Sequence, residues 1–159
     1  MVRRILQTTL LLTVFLVSLS AGLSAADDPS FGTWKLNLAK SKFSPGPAPK
    51  SQIVKYEAWE DGFKVSIDVV DALGKANHSE FTAKFDGKEY PWKGNANADL
   101  ATVKKIDDRH MESTWKKDGK TTITIKNAIA PDGKSRTVTH SGTDAQGRTV
   151  NTVMFFDKQ

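Results

Sequence analysis

Apolar and polar residues alternate along most of the chain, and this alternation restricts what the chain can fold into. It is clearest at Phe63, Val65, Ile67 and Val69, and it returns in residues 79–85 and 111–115. A period of two residues with β-branched and aromatic side chains is typical of half-buried antiparallel strands. No segment of useful length has the period of a helix. The sequence therefore predicts an all-β fold.

Glycines divide the alternating segments at regular intervals. The spacing is 12 and then 13 residues for Gly62, Gly74 and Gly87, and it is 14 residues for Gly119, Gly133 and Gly147. Four of these glycines follow an aspartate, and Asp-Gly accommodates the positive φ angles of tight hairpin turns. We therefore predict a reversal between neighbouring strands at each glycine, with two further reversals at residues 95–97 and 107–108.

These signals together predict an antiparallel up-and-down β-barrel of about nine or ten strands. A meander leaves two free edges that can pair with other chains, and closing the last strand on the first removes both. A closed barrel also favours a monomer. A two-sheet sandwich is the competing architecture, but it normally needs Greek-key crossovers longer than these hairpins. Residues 42–49 contain Pro45, Pro47 and Pro49, so they predict a stiff, extended cover between the first two strands.

The first 26 residues have the organisation of a cleaved secretory signal. Arg3 and Arg4 precede an apolar run over residues 10–19, and small residues follow at 24–26. The run is shorter than the roughly 20 apolar residues of a spanning helix, so we expect no stable membrane insertion after cleavage. This predicts an exported protein, periplasmic or extracellular, with one domain over residues 27–159.

Composition excludes several function classes. The formal charge of +5 is spread along the chain without a basic block, so we expect no nucleic-acid partner. The chain has no cysteine, which leaves no disulfide and no thiol nucleophile. It contains no Gly-x-Ser-x-Gly elbow, phosphate loop or His-Glu-x-x-His motif, and its three histidines lack the spacing of metal ligands. We predict a protein that is not an enzyme and has no metal or cofactor.

The two ends of the predicted domain resemble a known superfamily. Gly32-Thr33-Trp34 begins the first strand, and FFDKQ ends the chain at residues 155–159. With the meander between them, these residues resemble the calycins, which comprise lipocalins, fatty-acid-binding proteins and avidin-like barrels. The stretches at residues 34–51 and 86–95 are similar to small exported bacterial lipocalin-like proteins. The resemblance implies a bend at Gly32, a barrel floor at Trp34, and Lys158 as a cation over the Trp34 ring.

The same comparison places Met154 and Phe156 where fatty-acid-binding proteins carry their Arg-x-Tyr carboxylate clamp. The clamp is therefore absent, and the proline segment stands in place of the helical lid. We predict non-covalent binding or carriage of a small apolar or amphiphilic molecule in the barrel. The alternative is a module that binds a protein or a cell-envelope polymer, with its barrel filled by its own side chains.

Candidate ligand contacts follow from the inward face of each predicted strand. The apolar walls are expected from Phe63, Val65, Ile67, Phe81, Phe85, Trp92 and Trp115. The polar partners are expected from Arg136, His140 and Tyr90. Arg136 and His140 share one strand face and serve a ligand only if that face points inward, and the sequence is equally compatible with the opposite orientation. Tyr90 and Trp92 either face a ligand near the mouth or belong to the core, which we favour because large aromatics dominate burial.

Overall fold

The computed structural model describes residues 28–159, in which ten antiparallel strands form one sheet and no helix occurs. The strands are β1 (Gly32–Lys42), β2 (Ser51–Trp59), β3 (Gly62–Val70), β4 (Ala76–Ala83), β5 (Asp86–Pro91), β6 (Leu100–Lys105), β7 (His110–Lys117), β8 (Lys120–Ile129), β9 (Ser135–Thr143) and β10 (Thr149–Lys158). The predicted all-β class and strand number are confirmed. The predicted signal segment lies outside the described residues. Within the described part, no helix is long and apolar enough to cross a membrane.

The strands follow one another around a nearly closed barrel in chain order, and β1 pairs with β10. Trp34 lies opposite Lys158 on β10 and opposite Val54 on β2. The predicted pairing of the first strand with the last is therefore confirmed. The edges that remain are those of β4 and β5, and near them a single bridge joins Glu80 on β4 to Lys93, two residues after the end of β5.

This gap corrects one of the predicted hairpins. Asp86 and Gly87 lie at the beginning of β5 instead of in a turn between two paired strands. Asp118 and Gly119, in contrast, both have positive φ, at 49° and 75°, and join the paired strands β7 and β8 as predicted. The same dipeptide thus begins a strand at one site and forms a hairpin at another.

Aromatic side chains make contact across the gap where the sheet lacks hydrogen bonds. The ring centroid of Phe81 on β4 lies 4.5 Å from that of Trp92, which directly follows β5. The series continues from Phe81 to Phe63 at 6.0 Å, and from Trp92 to Trp115 at 4.9 Å. These distances lie in the range of favourable aromatic pairs. Ring packing therefore holds together the two strands that the backbone leaves unpaired.

One end of the barrel is closed by Trp34, which is 0% exposed. Its Nε1 donates a hydrogen bond to the carbonyl oxygen of Ser30 at 2.9 Å. Lys158 Nζ lies 5.1 Å from the indole ring and donates to the Pro29 carbonyl oxygen at 3.0 Å. Gly32 has a φ of 114°, and a Cβ atom there would lie 3.1 Å from Lys158 Cε. The glycine therefore allows the chain to bend while the lysine stays close to the indole.

Trp34→Ala tests this closed end. We expect a loss of roughly 3–5 kcal/mol in the free energy of unfolding, because the substitution empties a large buried aromatic site. Chemical denaturation of residues 27–159 measures it. Trp59→Ala is the matched control, since Trp59 is 40% exposed at the end of β2, and it should cost less than about 1 kcal/mol. Equal losses in the two variants would contradict the role given to Trp34.

Candidate functional site

The barrel contains a cavity of about 590 Å³. Its walls are mainly apolar, and the side chains belong to strands on both sides of the gap. Eight of the ten predicted contact residues line it: Phe63, Val65, Ile67, Phe81, Trp92, Trp115, Arg136 and His140. The strand alternation therefore placed six of the seven expected apolar residues on the correct face, because inward positions recur at every second residue.

The two remaining predicted contacts lie elsewhere. Tyr90 does not line the cavity, and its hydroxyl donates to Asp86 Oδ2 at 3.1 Å. Phe85 stacks on Phe63 at 4.6 Å, behind the wall that Phe63 forms. Trp92 is buried and also lines the cavity, so it belongs to the core, as we favoured, while part of its side chain faces the open space.

The mouth of the cavity is formed by the proline segment and the β3–β4 turn. Phe43, Pro47 and Pro49 line it, so the predicted cover lies over the opening. The cover is fixed to β10 at Ser44, whose amide donates to Thr152 Oγ1 at 3.0 Å. Leu73, in the β3–β4 turn, is 93% exposed and also borders the cavity. An apolar ligand would therefore meet apolar side chains at the entrance.

The orientation of β9 was left open by the sequence, and the structure resolves it. Arg136, Val138 and His140 all line the cavity. Arg136 pairs with Phe156 on β10 near the closed end, whereas His140 pairs with Thr152. Arg136 and His140 are four positions apart, which corresponds to about 13 Å along the strand. The cavity thus has one basic side chain at its closed end and an imidazole farther toward the mouth.

Arg136 is 2% exposed and is surrounded by aromatic rings. Its guanidinium carbon lies 4.8 Å from the centre of Trp34, 4.9 Å from Tyr56 and 4.9 Å from Phe156. Burial lowers the pKa of Arg136, and the nearby Tyr56 hydroxyl offsets part of that effect. A guanidinium nevertheless keeps its charge in proteins. The closed end of the cavity is therefore positively charged.

The charge of Arg136 has no partner of opposite sign in the described part of the chain, where no ion pair includes it. Its Nε and Nη1 atoms are buried without a hydrogen-bond acceptor. Two other cavity groups are also unpaired, namely Trp92 Nε1 and Asn127 Oδ1. Buried polar groups normally have partners, so these atoms mark where a ligand would find hydrogen bonds.

Asn127 and Tyr56 were missed by the sequence reading. Asn127 had a detectable signal, because it interrupts the inward series of Ile123, Ile125 and Ile129 on β8 with a polar side chain. Tyr56 had little signal, since it stands between Lys55 and Glu57 in a strand with mostly exposed residues. A polar residue in an apolar strand face is thus the feature that could have pointed to Asn127.

His140 is half-buried by accessible surface and packs against the ring of Trp115, at 5.0 Å between centroids. Burial lowers its pKa to about 4, so its imidazole is neutral at physiological pH. The other two histidines are exposed: His78 contacts Asp68 and His110 contacts Asp107. No group of three or more His, Asp or Glu within residues 28–159 is placed to hold a metal.

Comparison with known proteins adds no assignment to this geometry. No protein-family model matches the chain, no curated protein matches it, and no solved structure matches its fold.

The His140 imidazole makes stability dependent on pH. The folded protein binds a proton at His140 with a pKa of about 4, whereas an unfolded chain binds it near 6.5. Between these values the unfolded state holds more protons, so stability falls as the pH falls. We expect His140 to account for a loss of about 2 kcal/mol at a pH of about 5, relative to neutral pH.

His140→Phe should remove this component, and the difference between the unfolding free energies of wild type and variant across the pH range measures it. His78→Gln is the control. Asp68 raises the pKa of His78, so His78 favours folding at low pH and its removal should not protect the protein from acid. A wild-type profile that coincides with that of His140→Phe would show that His140 is not buried in neutral form.

Proposed function

We propose that this protein binds a small, partly apolar molecule non-covalently in the barrel and carries it. The observation behind the proposal is the cavity of about 590 Å³, lined mainly by apolar side chains with a few unpaired polar atoms. Small-molecule sites typically have volumes of roughly 300–1,000 Å³ and this kind of lining. A barrel filled by its own side chains would leave no such space.

The arrangement of the walls supports binding of an elongated molecule. The aromatic rings of Phe81, Trp92 and Trp115 follow one another at 4.5 and 4.9 Å. Arg136 supplies a charged group at the closed end, while the apolar cover at Phe43 borders the mouth. An apolar body would therefore contact the rings, and a polar end would reach the guanidinium.

The proposed cellular setting follows from the sequence. The signal-like segment over residues 1–26 and the calycin resemblance at Gly32 and Trp34 support an exported lipocalin-like carrier. Such a protein would act in the periplasm or outside the cell. Native mass spectrometry of protein purified from its own host would identify a molecule that remains bound during isolation.

A neutral fluorescent probe tests the cavity itself. N-phenylnaphthylamine should bind to wild-type protein, gain fluorescence, and accept energy from Trp92 and Trp115, which line the cavity. Val138→Phe should weaken this binding by about tenfold or more, because the larger side chain takes up cavity space. Titration by tryptophan excitation measures both effects.

Thr139→Phe is the matched control, since Thr139 is the next residue on β9 and does not line the cavity. It should leave probe affinity almost unchanged. If the probe does not bind wild type, or if the two variants weaken it equally, the cavity is not the binding site. The alternative of a protein-binding or polymer-binding module would then be preferred.

A further inference from the structure

A buried cation without a counter-charge stands at the closed end of the cavity. Taking a charge out of water is expensive unless it is paired and hydrogen-bonded. The rings of Trp34, Tyr56 and Phe156 attract the charge of Arg136. The Tyr56 hydroxyl also interacts with the guanidinium, but Nε–H and Nη1–H have no acceptor. The missing partner is therefore an anionic oxygen acceptor.

A second unpaired polar atom lies on the neighbouring strand β8, namely Asn127 Oδ1. Asn127 on β8 lies opposite Val138, and Ile129 lies opposite Arg136. Asn127 and Arg136 are thus diagonal neighbours on adjacent strands, and the Cα atoms of such neighbours are about 7 Å apart. Both side chains line the cavity. One offers N–H donors to an anion, and the other offers a buried carbonyl oxygen, Oδ1, without a donor.

We propose that Arg136 and Asn127 together bind the head group of an anionic amphiphile that carries a hydroxyl beside its anionic group. This rests on the cavity being a ligand site, as proposed above. The anionic oxygens accept from the guanidinium, and charge-assisted bonds of this kind are among the stronger ones in proteins. The hydroxyl donates to Asn127 Oδ1, and it can also accept if the amide is turned over.

The shape of the cavity indicates where the apolar tail of the ligand would lie. From Arg136 the inward face of β9 continues through Val138 to the neutral imidazole of His140. The apolar tail would extend in this direction along the aromatic walls and toward the mouth. The lining carboxylates, Asp71 and Glu112, form no ion pair with Arg136. The guanidinium is thus free for an anion from the ligand.

Displacement of N-phenylnaphthylamine tests the anion contact. The competitors are decanoate and decanol, which differ in the charged group. With wild type, decanoate should compete at concentrations about tenfold or more below those of decanol, as expected for a hydrogen-bonded charge. Arg136→Met should abolish this preference while probe binding persists. Lys158→Met is the matched control, because Lys158 also lies over Trp34 but does not line the cavity.

The hydroxyl contact is tested in the same assay with α- and β-hydroxydecanoate. At least one of them should bind about three- to tenfold more tightly than decanoate, the usual range for one neutral hydrogen bond. Asn127→Leu should remove this gain and leave the preference of decanoate over decanol intact. Because leucine has a volume similar to that of asparagine, the variant keeps the cavity wall filled.

The outcomes separate the two proposals. If the probe fails to bind wild type, the proposed carrier function fails. The head-group proposal fails if the probe binds but decanoate has no higher affinity than decanol. It also fails if neither hydroxy acid has a higher affinity than decanoate. In both cases the carrier function stands. These comparisons use wild type alone, so they decide the matter even if Arg136→Met does not fold. Arg136→Lys, which keeps the charge, should then retain part of the preference for decanoate.

Discussion

The indole of Trp34 is the group on which both the barrel and its cavity depend. It is fully buried where β1 lies between β2 and β10. Two cations lie over its ring. Lys158 lies outside the cavity and donates a hydrogen bond to the chain before β1, whereas Arg136 lies inside the cavity. The attraction of a ring for a cation offsets part of the cost of burying the guanidinium. The closed end of the barrel is consequently its positively charged end.

The cavity depends on how the aromatic residues are distributed. Residues 28–159 contain seven Phe and four Trp, enough to fill much of a small barrel, and about eight strands can be just filled by side chains. Here ten strands surround a wider interior. Phe63, Phe81, Trp92 and Trp115 pack on one another across the β4–β5 gap. Their area thus stabilises the weakest junction of the sheet and leaves space in the interior.

Local patterns predicted what depends on local physics. Alternation reports which face of a strand is buried, so it predicted the strands and six of the seven apolar wall residues. The gap was not predictable, because Asp86-Gly87 and Asp118-Gly119 are the same dipeptide, and pairing depends on how distant strands meet. The direction of β9 was also undetermined, since Thr137 and Thr139 form a face hardly more apolar than that of Arg136 and His140. The inward face of β9 is determined by its pairing with β8 and β10.

The position of the charge also determines how a ligand would be oriented. Had Arg136 been placed near Leu73 at the mouth, water could solvate both the guanidinium and an anionic head group, and the site would discriminate weakly. At the closed end the same charge is surrounded by rings, and its donors have no acceptor. A neutral oxygen can accept from those donors but leaves the charge without a counter-charge, whereas an anionic oxygen supplies both. In the proposed complex the ligand would therefore enter head first, with its apolar tail against Trp92 and Trp115.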